Sequence, residues 1–300
     1  MRILVIFILS LVSNFSVITA YAADCSQQSR VLGVSRTIVI DTSGGPKFGK
    51  VQYPKTLDLR KGEVVLTFDD GPHPKRTKQI LQALAEHCTK ATFFPVGRMM
   101  RAYPDTIKMV ADAGHTIGAH TYSHPNLKRK SLRRAKFEIE KAFEIALQTT
   151  GGPVAPFFRF PGLSDSSKLR KYLSSRDIAM FSVDIISDDT RYRNGRDIVK
   201  NTMSQLRRRD GGIVLFHDLK KATASALPTL LGQMHKEGFK IVHIVPSSYM
   251  SQASIALPAG NFDEKKFAYR KKRKKYTRSK SKRSRVHQNT FPSPFVASNK

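Results

Sequence analysis

From Gly62 onward, short apolar runs alternate with longer amphipathic ones, and this alternation restricts the possible folds more than any other feature of the chain. The short runs cover residues 64–68, 91–96, 116–119, 156–160, 178–183, 212–216 and 240–244. Their β-branched and aromatic content suits strands buried on both faces. Between them lie predicted helices over 75–87, 104–113, 132–149, 166–175, 197–208 and 222–235. In the third, Leu132, Ala135, Ile139, Ala142, Phe143 and Ala146 share one helical face, with Ser131 placed to cap it. Strands alternating with helices imply a largely parallel sheet. The expectation is an α/β fold, a distorted seven-stranded β/α barrel, with an open doubly wound sheet as the alternative.

The flanks differ from this body. Residues 1–22 read as a secretory signal: Arg2 precedes an apolar run, and small residues follow at Ala20, Ala22 and Ala23. Ser13, Asn14 and Ser16 interrupt the run, which argues against a membrane anchor. The chain is therefore expected to be exported, to a periplasmic or extracellular location. Residues 23–61, broken by Gly44, Gly45, Pro46, Gly49 and Pro54, read as a short extension laid over a main domain at 62–250. Residues 251–300 form a linker and tail, in which 265–285 carry thirteen Lys or Arg and no acid. Such a run repels itself and cannot bury a core, so disorder is expected there.

The formal charge is +29, so positive character extends beyond the tail into the body. For an exported chain this favours anionic envelope polymers or a lipid surface as partners of 265–285, and makes nucleic acid a poor candidate. Cys25 and Cys88 are the two cysteines. An oxidising compartment can pair them, but their spacing does not decide between a bridge and two unrelated thiols. Nothing in the sequence sets the oligomeric state.

Five of the predicted strands end in polar or charged residues. They lead into Asp69 and Asp70, into His120 with His124 four positions on, to Arg159, into Asp184 with Asp188 and Asp189 close behind, and into His217 and Asp218. In β/α barrels the loops at the carboxyl ends of the strands form the active face, so these positions are expected to converge. Asp70, His120 and His124 offer one oxygen and two nitrogens, the three protein ligands that catalytic zinc commonly takes. Singly, each residue also has an ordinary reading. Asp-Asp-Gly-Pro is a good turn, paired histidines are common on surfaces, and Arg159 would serve as an ion-pair partner. His73, His87, His115, His235, His243 and His287 match no catalytic role.

Taken in order, TFDDGP from Thr67, HTYSHP from His120, RFPG from Arg159, the Asp184 segment and LFH from Leu215 resemble the five motifs of the polysaccharide deacetylases, carbohydrate esterase family four. The resemblance covers roughly residues 62–250. It implies a distorted β/α barrel and metal-dependent removal of acetyl groups from N-acetylated polysaccharide, such as N-acetylglucosamine units of peptidoglycan. It further implies Asp70, His120 and His124 as ligands of Zn2+ or another divalent ion, and Asp69 as the base that takes a proton from water. His217 resembles the general acid, Arg159 the arginine that orients the base, and Asp184 the acid that holds the catalytic imidazole. Gly162 and Leu215 correspond to the oxyanion donor and a wall of the acetyl pocket.

The chain departs from the family pattern in one region. It has no Trp, and Asp188, Asp189 and Thr190 stand where an aromatic residue is usual; Gly162 replaces another. Phe160 or Phe181 is then expected to fill the acetyl pocket, or else the acceptor sugar differs. That altered pocket keeps open a second reading, a barrel that binds glycan without catalysis.

Overall fold

The computed structural model describes Cys25 and residues 31–259. The expected signal at 1–22 and the basic run at 265–285 lie outside the described residues.

The described chain contains ten strands and seven helices. In order they are β1 (Arg36–Ile40), β2 (Lys47–Phe48), β3 (Glu63–Asp69), α1 (Arg76–Glu86), β4 (Thr92–Phe94), α2 (Gly97–Ala102), α3 (Pro104–Asp112), β5 (Thr116–Ile117), α4 (Leu132–Thr150), β6 (Phe157–Phe158), α5 (Ser167–Ser174), β7 (Ala179–Phe181), β8 (Ile185–Ile186), α6 (Gly195–Arg209), β9 (Gly211–His217), α7 (Lys221–Lys236) and β10 (Lys240–Pro246). Every ladder between these strands is parallel, as expected where helical crossovers join successive strands. One sheet has seven strands, including β1-β10-β3-β4-β5 in that order, with β9 paired to both β3 and β8. The other runs β2-β7-β6, and an isolated bridge between Ala119 and Phe158 links the end of β5 to β6. The expected seven strands thus become ten, paired as two sheets.

The extra strands come from segments with a weak pattern. The described part of the expected extension, residues 31–61, does more than lie over the domain, because β1 pairs in parallel along its whole length with β10, and Ile40 and Leu57 enter the central core. β2 pairs with β7, bringing Phe48 within 5.3 Å of Phe181.

β3 is buried along all seven residues, which explains its unbroken apolar run. Val65, Phe94, Phe157, Phe181, Ile213 and Leu215, from five strands of the two sheets, meet in one cluster. Burying each such side chain stabilises the fold by about 1.5–3 kcal/mol. The third predicted helix is α4, with Ser131 accepting a hydrogen bond from the Arg134 N–H and Gly151 ending it in the left-handed region. Ala135, Ile139, Ala142, Phe143 and Ala146 are fully buried. Leu132 is 42% exposed, because it occupies the first turn beyond the core contact.

Cys25 and Cys88 form a disulfide. It ties the chain before β1 to the residue just past the carboxyl end of α1, and resolves the question that their spacing left open. Among the described residues no helix is long and apolar enough to cross a membrane.

Candidate active site

Backbone register gathers the polar strand ends. Asp69 closes β3, His217 closes β9, and the two are direct partners in the ladder. The His120 N–H donates to the Pro95 carbonyl at 3.1 Å, and the Arg159 N–H donates to the Ala119 carbonyl at 3.1 Å. Segments distant in sequence are thus carried to one rim. The turns there are tight: Asp70 has φ 77° and His124 φ 59°, a left-handed conformation that non-glycine residues rarely adopt. Gly71 admits no substitute in this geometry, because a Cβ there would lie 2.0 Å from the Asp218 carboxylate.

Asp69 is buried, and Arg159 is fully buried beside it. The guanidinium donates from Nη1 to Asp69 Oδ1 at 2.7 Å and to Thr67 Oγ1 at 2.8 Å. Its other nitrogens donate to the carbonyls of Phe181 and Ser182, and the Phe94 ring lies 4.3 Å below. Burial pushes the Asp69 carboxyl above the ordinary carboxylate range, while Arg159 and then His217 pull it back down.

Asp70, His120 and His124 each bring one donor atom into a cluster spanning no more than 4.8 Å. Asp70 Oδ1 is 3.2 Å from His124 Nε2 and 3.6 Å from His120 Nε2. His120 Nδ1 lies 2.7 Å from the Arg159 carbonyl, which can only accept, so Nδ1 carries the proton and Nε2 keeps its lone pair. Burial lowers the His120 pKa to about 3, against the opposing pull of Asp70. The ring is therefore neutral, as a ligand must be. Asp70 Oδ1 is shut from water with no hydrogen-bond partner among the described residues. A buried carboxylate oxygen without a proton donor, beside imidazole nitrogen, suits a divalent ion that accepts N and O ligands.

His217 faces the same pocket, but the acid that holds it is not Asp184. Its Nδ1 is 2.7 Å from Asp189 Oδ1, and its backbone N–H donates to Asp189 Oδ2. Thr223 Oγ1 donates to the same oxygen at 2.6 Å. Burial disfavours charge on the ring, yet Asp189, Asp69 and Asp70 outweigh it and raise the pKa to about 9. Asp184 instead accepts from the Lys50 N–H, Thr56 Oγ1 and the Ile213 N–H. The chain bends between β7 and β8, which turns Asp184 towards the start of β9, where the Cβ of any residue replacing Gly212 would lie 2.7 Å from its Cβ. Asp189 lies past β8, level with the end of β9.

Asp69, Asp70, His120, His124, Asp189 and His217 line a cavity of about 370 Å³ together with Gly162, Leu215 and Phe160. Leu163 and Ile186 add apolar wall. Phe160 thus reaches the pocket, whereas Phe181 is packed in the core against Phe157, with ring centroids 4.8 Å apart. Among the other histidines, His115 Nδ1 accepts from the Ala91 N–H, His243 meets Thr116, and His73 Nδ1 accepts the N–H groups at the start of α1. His287 lies outside the described residues.

Two further acids support the site: Glu138, which did not stand out in the sequence, and Asp218, which follows His217 at the end of its strand. Glu138 of α4 is fully buried and accepts from both the N–H and the Oγ of Ser123, at 2.7 Å each, while pairing with Arg134. It pins the turn that carries His124. Its signal was faint: an Arg and an acid four apart on a helix usually face water. Asp218 is buried, accepts from Thr77 Oγ1 at 2.6 Å, and has its pKa raised to about 7 by burial.

The chain is similar in sequence and fold to several known proteins. A sequence model described as polysaccharide deacetylase matches residues 56–181. The peptidoglycan-N-acetylglucosamine deacetylase of Bacillus cereus is 31% identical over 208 residues, covering 67% of this chain and 74% of that protein. The peptidoglycan-N-acetylmuramic acid deacetylase PdaC of Bacillus subtilis is 32% identical over 202 residues, which span 66% of this chain but only 42% of that longer protein. Among solved structures, the peptidoglycan deacetylase Bd3279 of Bdellovibrio bacteriovorus superposes with a TM-score of 0.67 at 31% identity, over 74% of this chain and 61% of that one. The chain belongs to the polysaccharide deacetylase family.

Proposed function

We propose that this chain removes acetyl groups hydrolytically from N-acetylated sugars of an envelope glycan, with zinc held by Asp70, His120 and His124. The observation that carries the reading is the meeting, around one cavity, of an arginine-bound carboxylate, an Asp-His-His cluster and a histidine backed by its own carboxylate. A divalent ion in that cluster supplies Lewis acidity, which lowers the pKa of a water and polarises an acetyl carbonyl.

The remaining work falls to the side chains. Arg159 occupies Asp69 Oδ1, so Oδ2 is the oxygen left to take a proton from the attacking water. Burial favours that uptake, because it raises the proton affinity of the carboxylate. His217, holding its proton at Nε2 through the grip of Asp189 on Nδ1, delivers it to the departing nitrogen. An amide nitrogen leaves poorly unless protonated, so this second transfer matters as much as the first. Gly162, on the cavity wall, is assigned to offer its N–H to the oxyanion, and Leu215, Phe160 and Ile186 to offer apolar surface for the acetyl methyl group. The distorted barrel belongs to the same proposal; the bridge between the two sheets and their shared core support it.

The names of the relatives favour N-acetylglucosamine or N-acetylmuramic acid units of peptidoglycan as substrate. Export is supported by the leader pattern and by the disulfide, which persists in oxidising compartments. The basic run at 265–285 is assigned to anionic envelope polymers.

The test is acetate release by the full chain and its Asp69→Asn variant on peptidoglycan and N-acetylglucosamine oligomers. Asn keeps the shape but accepts no proton, so turnover should fall at least about a hundredfold while metal content is kept. Undiminished turnover would remove Asp69 from its role. A metal-loaded parent chain that binds these glycans and releases no acetate would favour the non-catalytic reading.

A further inference from the structure

The catalytic pocket does not end at its rim. Ile186 and Asp188 also line a second cavity of about 340 Å³, with Val51, Gln205, Arg208 and Arg209 on its walls. Asp184 and Arg209 in turn line a third of about 340 Å³, walled by Lys50, Thr56, Arg60 and Lys61. These common lining residues set the three side by side, in a row termed the groove. The row runs beside β8 and the later turns of α6, from Leu215 and His217 in the catalytic pocket to Gly211 and Gly212 in the third cavity.

The second and third cavities are net positive, with Lys50, Arg60, Lys61, Arg208 and Arg209 against Asp184, Asp188 and Asp210. Lys50, Arg60, Arg208 and Arg209 are exposed, and none has a carboxylate at ion-pair distance among the described residues. The acids beside them are already engaged. Asp184 accepts three hydrogen bonds, Asp188 lies 3.9 Å from Arg191, and Asp210 lies 3.8 Å from Lys61. The dipole of α6 favours cations in its last turn, which accounts for Arg208 and Arg209 by themselves. It does not account for Lys50 and Arg60, which approach from another part of the chain onto the same groove.

We propose that this groove is a second binding site, which holds the carboxylate-bearing part of a glycan while a neighbouring acetamido group enters the catalytic pocket. The chemical class is a polyanionic glycan, such as a strand with free stem-peptide carboxylates, in preference to a neutral N-acetylglucosamine polymer. The assignment rests on the deacetylase reading for its substrate, but the binding itself is separable.

The test compares two charge-matched pairs in the full chain. Arg208→Gln with Arg209→Gln strips the groove; Arg196→Gln with Lys200→Gln removes equal charge from the separate cleft between α6 and α7. Each is measured for affinity to soluble, uncross-linked peptidoglycan strands, and for acetate release from those strands and from neutral N-acetylglucosamine hexamer. The groove pair should lose about five- to tenfold in affinity and kcat/KM on the anionic strands, leaving the hexamer unchanged. The control pair should leave both substrates unchanged. Equal losses from the two pairs, no loss from the groove pair, or equal losses on strand and hexamer would each overturn the proposal. If the parent chain releases acetate from neither substrate, the deacetylase reading fails alone, and the affinities still decide the groove.

Discussion

His217 keeps its proton because Asp189 grips the far side of its ring, and the chemistry proposed above depends on that proton. Burial alone would leave the imidazole neutral; the carboxylates around it raise its pKa to about 9. A general acid works only while protonated, so activity should hold below that value and fall as pH rises through it. Asp189→Asn removes the principal countercharge and should shift this alkaline limb to lower pH, as well as reduce turnover. A pH profile of kcat measures it, and an unmoved limb would contradict the pairing. Asp184→Asn should leave the limb in place, since that side chain bonds Lys50, Thr56 and Ile213 instead. The convergence of Asp69, Asp70, His120 and His124 was legible in the sequence because their motifs are short and rigidly spaced around turns. Choosing among Asp184, Asp188 and Asp189 was not, because a bend in the backbone decides which of them ends level with β9.

Among the secondary elements, α4 holds the metal-ligand turn more directly than its distance from the chemistry suggests. Glu138 projects from a helix otherwise buried for packing and fastens Ser123, one residue before His124. Partners of this kind commonly change metal affinity by about 10–100-fold when removed. Glu138→Gln keeps the size and part of the hydrogen bonding, so metal affinity should weaken by roughly tenfold with the fold intact. Titration of zinc into the chain measures it; unchanged affinity would reduce Glu138 to a structural acid. Periodicity found α4 well because its apolar stripe spans five turns. It missed α2, with six residues, and β2 and β8, with two each, because such lengths carry less than one repeat of pattern. β1 was missed for a different reason: it is an edge strand in which only Ile40 is buried, while Val39 is 63% exposed.

At the scale of the described fold, the disulfide and the chemistry lie on opposite sides of the sheet. The catalytic groups gather at the carboxyl ends of the strands, whereas Cys88 follows the carboxyl end of α1, which runs back to the other side of the sheet. The bridge closes a sequence separation of 63 residues, for which chain-entropy arguments give up to about 4 kcal/mol. Replacing both cysteines by serine should therefore cost roughly 2–4 kcal/mol in urea unfolding and leave kcat unchanged. A comparable loss in kcat would couple the bridge to the site. The alternation of apolar and amphipathic runs revealed the α/β class, but how ten strands divide between two sheets depends on pairings that composition does not encode.

The most direct measurement is acetate release from N-acetylated peptidoglycan by the full chain before chelation, after it, and after zinc is returned. Asp70, His120 and His124 acting through a bound ion require release to stop on chelation and recover on zinc addition. Steady release from the chelated, metal-free chain would contradict the account.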